Sequence, residues 1–583
     1  MKLTGKQREI VNYRKSCTVL GVPGSGKTLV MFRKIAALIE NGVKPESIAV
    51  MAFSYRNMLV LKEKMRQSLG DAASGVVVGT TVDLPLKAMG LSHKQADLPR
   101  VADNNFMRRI MRQAMVEVGF TGHSKEAEHI IRGFKSRGRK PSEADEHYDL
   151  FRAYKQHLEQ TGLVDRHDII RKHIIGMRND VYEPVPVKHI FVDNFQDITQ
   201  IQMLWLTDHL KAGIQTYVFG CDDLTIFRRD GALGRSAFVD YEEMNNLNRF
   251  TLGESFRLPP KVATAAEKIV APLKDRLMTG LKTKSQKDNK GESHEGGAFH
   301  LKSHNGVDAE ISALTDNIET ALNKNSKTTV GVVTRYDLQA RQVERALQAR
   351  GIEHSSFARA IWETPGAMLV LDLLGVFLNK TSKSRLRNVL SIFGISGQAV
   401  ETLYEHGLSP DGWLKRGAPV PKSAEADLPG ATLRDLGLLR QKLLNYARMM
   451  KPLGPKTVFK AMVLHMVENM RPENQQDALL ALDELLSTKG NLNQVIAQLL
   501  EHRQPDPTAR VVVTPVRESR NMEFTHVFVP FVTNTNYPYK YRVLPRQPQP
   551  ERRLLFMAAT RASQALTLSH CGGKPSEFLK QLE

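Results

Sequence analysis

Residues 21 to 28 read GVPGSGKT, with the apolar run CTVLGV leading into them and the helical pattern LVMFRKIAALIENG following. The stretch satisfies G-x-x-x-x-G-K-[ST] in the strand-then-helix setting that the motif requires. A chain carrying it is held to an α/β layer in which a glycine-rich turn joins a buried strand to a helix N-terminus. Glycines at this turn let backbone N–H groups converge on phosphate oxygens, and the helix end adds partial positive charge. Lys27 is placed to reach the β- and γ-phosphates and Thr28 to ligate Mg2+, so Gly24, Ser25, Gly26, Lys27 and Thr28 are candidate ligands of a nucleoside triphosphate. A glycine turn with an incidental lysine is the plain alternative, and the flanking strand and helix argue against it.

Further apolar runs of strand type follow at IAVMAF, GVVVGT, HIFVDNF and TYVFGC, with helical patterns between some of them. That alternation describes a doubly wound parallel sheet. From 95 to 187 the strand signal gives way to basic helical segments such as NNFMRRIMRQAMVEVG and HIIRGFKSRGRK. The segment KTKSQKDNKGESHEGG, residues 282 to 297, is polar and aperiodic and reads as a linker. Strand and helix resume in TTVGVVTRYDLQARQVERALQARGI, residues 365 to 505 are largely helical, and strands return in ARVVVTPV and HVFVPFV. We therefore expect two α/β cores, each interrupted by a helical insertion. The first core occupies 1–94 and 188–281, around an insertion at 95–187, and runs into the second. The second occupies 282–364 and 506–583, around an insertion at 365–505.

The chain's 583 residues are enough for several domains. Lysine and arginine exceed aspartate and glutamate by 82 to 62, a net charge of +20 that calls for a polyanionic partner, nucleic acid ahead of a membrane surface. No apolar run approaches the roughly 18 residues of a membrane span, and MKLTGKQREIVNYRK lacks the apolar centre of a signal peptide, so we expect a cytoplasmic protein with no membrane partner. The three cysteines, Cys17, Cys221 and Cys571, are too scattered for a disulfide framework or a thiolate metal site.

In FVDNFQDITQIQ, residues 191 to 202, an apolar run ends at Asp193, as a buried strand does when it presents a magnesium ligand. The next position, where such sites carry the carboxylate that activates water, is Asn194.

Eight patches in order, LTGKQREIV, GVPGSGKT, IAVMAFSYRN, VDNFQD, VFGCDDLTIFRRDGA, LGESFRL, RNMEFTHVFVPFV and ERRLLFMAATRA, resemble the motifs of UvrD/Rep-like superfamily 1 DNA helicases, and the likeness runs from residue 3 to about 580. The resemblance implies two RecA-like cores, ATP and Mg2+ as ligands, and single-stranded or partly duplex DNA as partner. By position it implies that Gln7 reads the adenine edge and Phe256 stacks on its face. Arg257 and Arg561 would meet the γ-phosphate from the second core, Gln196 would sense it, and Glu523 would contact the ribose or couple the cores. Asp193 would hold Mg2+ through its water shell. Phe53 and Phe227 stand where the family stacks DNA bases, and Arg229 replaces a second aromatic but offers a planar guanidinium. The basic runs RGFKSRGRK and KYRVLPRQPQPERR are candidates for tracking phosphates or plain solvated faces.

Departures from the family pattern bear on the chemistry. A carboxamide at Asn194 cannot take a proton from water, and losing such a base costs about 10²–10⁴ in rate. Asp197, through a shifted water, or Gln196, as a glutamine positions water in GTPases, are the alternatives. Leu224 replaces a usual glutamine and Asp230 an arginine, while Arg517, Arg520 and Asn521 replace histidine, lysine and glycine in motifs that couple nucleotide to DNA. Two functions follow as expectations. One is an ATP-binding DNA translocase or helicase, with 3′-to-5′ polarity implied by the resemblance and hydrolysis weakened at Asn194. The other is an ATP-gated DNA clamp or sensor acting with a partner such as a nuclease in repair or antiphage defence. No compact carboxylate–lysine cluster outside the ATP motifs supports an intrinsic nuclease.

Overall fold

The computed structural model describes residues 3–92, 99–122, 124–139, 141–284, 297–359, 361–378, 383–407, 420–470, 472–487, 490, 494, 505–506, 508–539, 547–572 and 574–582. Most of the linker expected at 282–297 and the first part of the basic run from 540 lie outside the described residues. Two compact units are present, residues 1–358 with 505–583, and residues 359–504.

The larger unit holds two six-stranded sheets, both parallel throughout. The first contains β1 (Cys17–Gly21), β2 (Ile48–Ala52), β3 (Val77–Thr80), β4 (His189–Asp193), β5 (Gln215–Gly220) and β6 (Asn248–Leu252), in the order β3-β2-β4-β5-β1-β6. A two-stranded ribbon, β7 (Glu254–Ser255) with β8 (Lys282–Thr283), follows. The second sheet contains β9 (Ala298–His304), β10 (Val330–Thr334), β11 (Ser355–Ser356), β12 (Val511–Pro515), β13 (Phe524–Val529) and β14 (Ala562–Cys571), in the order β11-β12-β10-β13-β14-β9. Each sheet, with its helices, is a RecA-like core.

Central strands covered on both faces are predominantly apolar, and β1, β2, β10 and β12 are buried from end to end, Thr18, Thr334 and Thr514 included. The edge strands β6 and β9 expose alternate polar residues, and their sequences NRFTL and AFHLKSH carry no continuous apolar signal. The chain crosses between the cores at the helix Pro260–Val270, whose Val262, Ala266 and Ile269 pack with Leu555, Ala558 and Leu566.

Between β3 and β4 lie the helices Asn104–Glu117, Ser124–Ser136, Tyr148–Glu159 and Arg166–Arg178, around a core that includes Met115, Ile131, Phe134, Leu150 and Tyr154. Buried Lys135 stands 2.6 Å from Asp165 and 2.7 Å from Asp168, and Asp165 also caps the last of these helices. The smaller unit is helical, with its own core of Leu374, Val400, Leu436, Phe459, Val463 and Leu485 among others. No described helix is long and apolar enough to cross a membrane.

Candidate nucleotide site and its surroundings

The turn between β1 and the helix Lys27–Glu40 is built by two left-handed glycines, Gly24 (φ 77°) and Gly26 (φ 82°). Both are required sterically. A Cβ at Gly24 would lie 2.5 Å from Ser255 Oγ and 2.8 Å from Arg257 Cβ, and one at Gly26 would lie 2.8 Å from Gln7 Nε2. No side chain caps the N-terminus of Lys27–Glu40, so its first amide groups are left for an anion. Lys27 Nζ donates to the carbonyls of Gly21 (2.7 Å) and Val22 (2.9 Å), folded back on the turn. Burial lowers its pKa, and Arg257 and Arg561 push the same way while Asp193 opposes them. Thr28 is half-buried in the first helical turn.

Gln7 is buried beside this turn. Its Oε1 accepts from Thr4 N (2.9 Å), closing the capping box of the helix Gly5–Asn12, and its Nε2 donates to Ser25 O (3.1 Å). In this conformation the Nε2 end of the amide braces the turn and the Oε1 end caps its own helix, so both ends are engaged.

Asp193 ends β4, in register between β2 and β5, and so faces the same C-terminal crevice as the glycine turn. Its Oδ1 accepts from Asn194 N (3.0 Å). Burial pushes its carboxyl up, and Lys27 pulls it back. Asn194 follows in the left-handed region (φ 60°, ψ 43°), which asparagine tolerates better than most side chains. Gln196 is buried, its Oε1 accepting from Cys221 N (3.0 Å) and its Nε2 donating to Asp197 Oδ2 (3.1 Å). Asp197 is gripped from the second core by Arg520, whose Nη2 lies 2.7 Å from Oδ2. Burial raises the Asp197 carboxyl to about 7 against the pull of Arg520. Neither alternative to the missing glutamate is thus idle: both side chains already hold the protein together.

Arg257 and Arg561 converge on the turn. The segment of Arg257 is seated by Phe256 N donating to Gly24 O (2.9 Å), and Arg257 Nη2 donates to Thr560 O (2.6 Å). Buried Arg561 donates from Nε to Met557 O (3.0 Å). Burial and then Arg257 bring its pKa down to about 9, so it stays charged near neutrality. Glu523 is exposed, with Oε2 3.5 Å from Arg257 Nη1. Half-buried Phe256 lies beside them. Among the described residues, Ser25 Oγ, Asp193 Oδ2 and Arg257 Nε are buried atoms without a well-aligned hydrogen-bond partner, although the Asn521 amide stands close enough to Asp193 to draw its carboxyl down. Three orphaned polar atoms around a phosphate-binding turn are what a triphosphate with Mg2+ would satisfy.

Of the candidate DNA contacts, Phe53 follows β2 and is half-buried against the first core, and Arg229 is half-buried in the short helix Arg228–Asp230. Phe227 carries two guanidinium groups on its ring, Arg520 at 4.3 Å and Arg517 at 5.3 Å. In the run RGFKSRGRK the cations among the described residues are engaged internally: Arg132 with Glu128 and Asp230, Lys135 with Asp165 and Asp168, Arg137 and Arg139 with Asp145. This run is mainly scaffold. Lys64 carries no functional signal in the sequence, because KEKMRQ reads as an ordinary solvated helix face. It is half-buried, its Nζ donates to Asn521 O, and burial lowers its pKa, with Glu523 opposing and Arg257 and Arg561 reinforcing.

Two parallel RecA-like cores with a glycine turn, a strand-end aspartate and two converging arginines define a P-loop nucleotide-binding protein of the two-core type. Residues 3–235 match the model of the UvrD/REP helicase N-terminal domain, and residues 464–573 that of the UvrD-like helicase C-terminal domain. The chain belongs to the UvrD/Rep-like helicase family. Similar proteins include DNA helicase II of Escherichia coli K12, 23% identical over 100% of this chain and 87% of that protein. DNA helicase II of Haemophilus influenzae is 21% identical with the same coverage, and ATP-dependent DNA helicase PcrA of Staphylococcus aureus is 18% identical over 97% of this chain and 84% of its own length.

Proposed function

We propose that this chain is an ATP-dependent DNA helicase or single-stranded DNA translocase working in the cytoplasm, with 3′-to-5′ polarity by analogy with its family. The observation that carries this reading is the convergence of Lys27, Asp193, Arg257 and Arg561 on one turn, with Ser25 Oγ and Asp193 Oδ2 left orphaned there. Thr28 and Asp193 would hold Mg2+, which supplies charge neutralisation at the phosphates when bound. Lys27 exchanges the carbonyls of Gly21 and Val22 for phosphate oxygens, and the uncapped helix N-terminus orients them. Arg257 and Arg561 place two positive charges where negative charge accumulates in phosphoryl transfer. Asn194 can orient a water but cannot take its proton, so hydrolysis is slow.

The test is ATP turnover with and without single-stranded DNA, in the wild type and in Lys27→Ala. Turnover that DNA stimulates and Lys27→Ala abolishes supports the motor. Asn194 favours a second reading, an ATP-gated DNA clamp acting with a nuclease or another repair or defence partner. Nucleotide-dependent DNA affinity with no phosphate release would select the clamp. DNA affinity indifferent to nucleotide would sink both.

A further inference from the structure

Six contacts link the segment from Arg517 to Glu523, on the second core, to the first core and its border. Arg517 Nη1 lies 3.8 Å from Asp230 Oδ2. Arg520 Nη2 lies 2.7 Å from Asp197 Oδ2, and the guanidiniums of both arginines lie on the Phe227 ring. The carbonyl of Asn521, held in the left-handed region (φ 57°), accepts from Lys64, and Glu523 faces Arg257 at 3.5 Å. One short segment therefore spans from Phe227, a candidate base-stacking ring, to the arginine on the phosphate turn.

Asp230 and Arg517 reverse an expected charge pattern without leaving either unmatched. Asp230 accepts from His129 at 2.6 Å and faces Arg132 at 3.5 Å as well as Arg517. The unusual residues at 230, 517 and 520 thus contact one another's neighbours and form one matched set across the two cores.

We propose that Arg520 is a displaceable latch: it occupies the Phe227 ring and holds Asp197, and a base stacking on Phe227 competes for that ring and loosens the grip on Asp197. Arg520 and Arg517 are positioning residues in this scheme. A planar guanidinium and a nucleobase bind an aromatic face by the same kind of contact, so the two exclude each other on one face. Asp197 shares its Oδ2 with Gln196 Nε2, and Gln196 is two residues from the candidate water-orienting Asn194. DNA occupancy is thereby reported at the end of β4. By linkage, nucleotide must change DNA affinity by the same factor as DNA changes nucleotide affinity.

The inference rests on the nucleotide- and DNA-binding reading above, and its test separates the two. Affinity of the full chain for a fluorescent oligothymidylate is measured without nucleotide, with ADP and with a non-hydrolysable ATP analogue, and affinity for a fluorescent ATP analogue is measured alone. In wild type the nucleotides are expected to change DNA affinity by roughly 5-fold or more. In Arg520→Gln that ratio collapses to below about 2-fold while affinity for the ATP analogue alone holds within about 3-fold, and Arg520→Lys, which keeps the charge but not the planar face, lies between. Arg517→Gln moves the ratio in the same direction. A wild-type ratio retained in both Arg520 variants overturns the latch and leaves the binding reading intact, as does a parallel loss of ATP-analogue affinity. A wild-type ratio of one overturns the latch together with the motor and clamp readings, and no measurable affinity for either probe overturns the binding reading itself. If Arg520→Gln melts early, the Arg520→Lys ratio decides.

Discussion

Arg520 Nη2 lies 2.7 Å from Asp197 Oδ2 with only 4% and 2% of the two side chains exposed, so the second core grips the loop after β4 through a buried charge pair. The contact is chiefly electrostatic, because this nitrogen makes no well-aligned hydrogen bond. In a cycle of Arg520→Met, Asp197→Asn and the double variant, unfolding in urea should return a favourable coupling energy of about 1–3 kcal/mol. Strict additivity would mean that the pair contributes nothing to holding the cores together.

Asn194→Glu should raise DNA-stimulated ATP turnover by about 10²-fold or more, since it supplies the missing proton acceptor. The same change places a longer side chain at φ 60°, at a cost of about 1 kcal/mol in folding stability. Steady-state phosphate release and chemical denaturation measure the two effects separately. Unchanged turnover would move the proton-accepting role elsewhere or favour the clamp.

Lys27→Ala should leave the fold unchanged, because the hydrogen bonds of Lys27 Nζ go to the Gly21 and Val22 carbonyls of its own turn. It should weaken ATP-analogue binding by at least about tenfold, the effect of losing a charge-assisted contact worth about 1.5–3 kcal/mol. Equilibrium titration with circular dichroism as the fold control checks both parts.

Phe53→Ala should reduce affinity for single-stranded DNA by about 1–3 kcal/mol, the usual worth of one aromatic platform, with no change in nucleotide binding. Fluorescence anisotropy on a short oligonucleotide measures it at fixed salt. An unaltered affinity would return Phe53 to the role of core filler.

His209 gives the first core an acid-sensitive point. Its Nε2 accepts from Val185 N (3.1 Å) and its Nδ1 donates to Trp205 O (2.8 Å), so it is held neutral, and burial brings its pKa down to about 4. The unfolded chain takes up a proton near pH 6.5 while the folded one resists until about 4, so stability falls as pH drops through that window, by up to about 1.4 kcal/mol per unit. Urea denaturation at pH 7 and pH 5 should show a loss that His209→Gln flattens.

The elements that were readable in advance are those whose surroundings are the same all along their length. The runs around Ile48, His189, Gln215, Val330, Val511 and Phe524 became strands because a central parallel strand is buried on both faces and is written mostly in apolar residues. Strands β6, β9 and β14 were not read, because two lie at sheet edges and the third alternates buried and half-exposed positions. Among site residues, Lys27 and Asp193 were legible because local geometry alone places them, one in a glycine turn and one at a strand end.

By itself, then, the sequence determined the glycine turn, the strand that presents Asp193 and the presence of asparagine at 194, since each depends on residues within a few positions of one another. Only the tertiary structure decided that Gln7 braces the turn, that Asp197 belongs to Arg520 and that Phe227 lies under two arginines. Those partners are separated by 18 residues in the first case and by some 300 in the others, and nothing in the local chemistry of either partner specifies the other until folding brings both cores to one crevice.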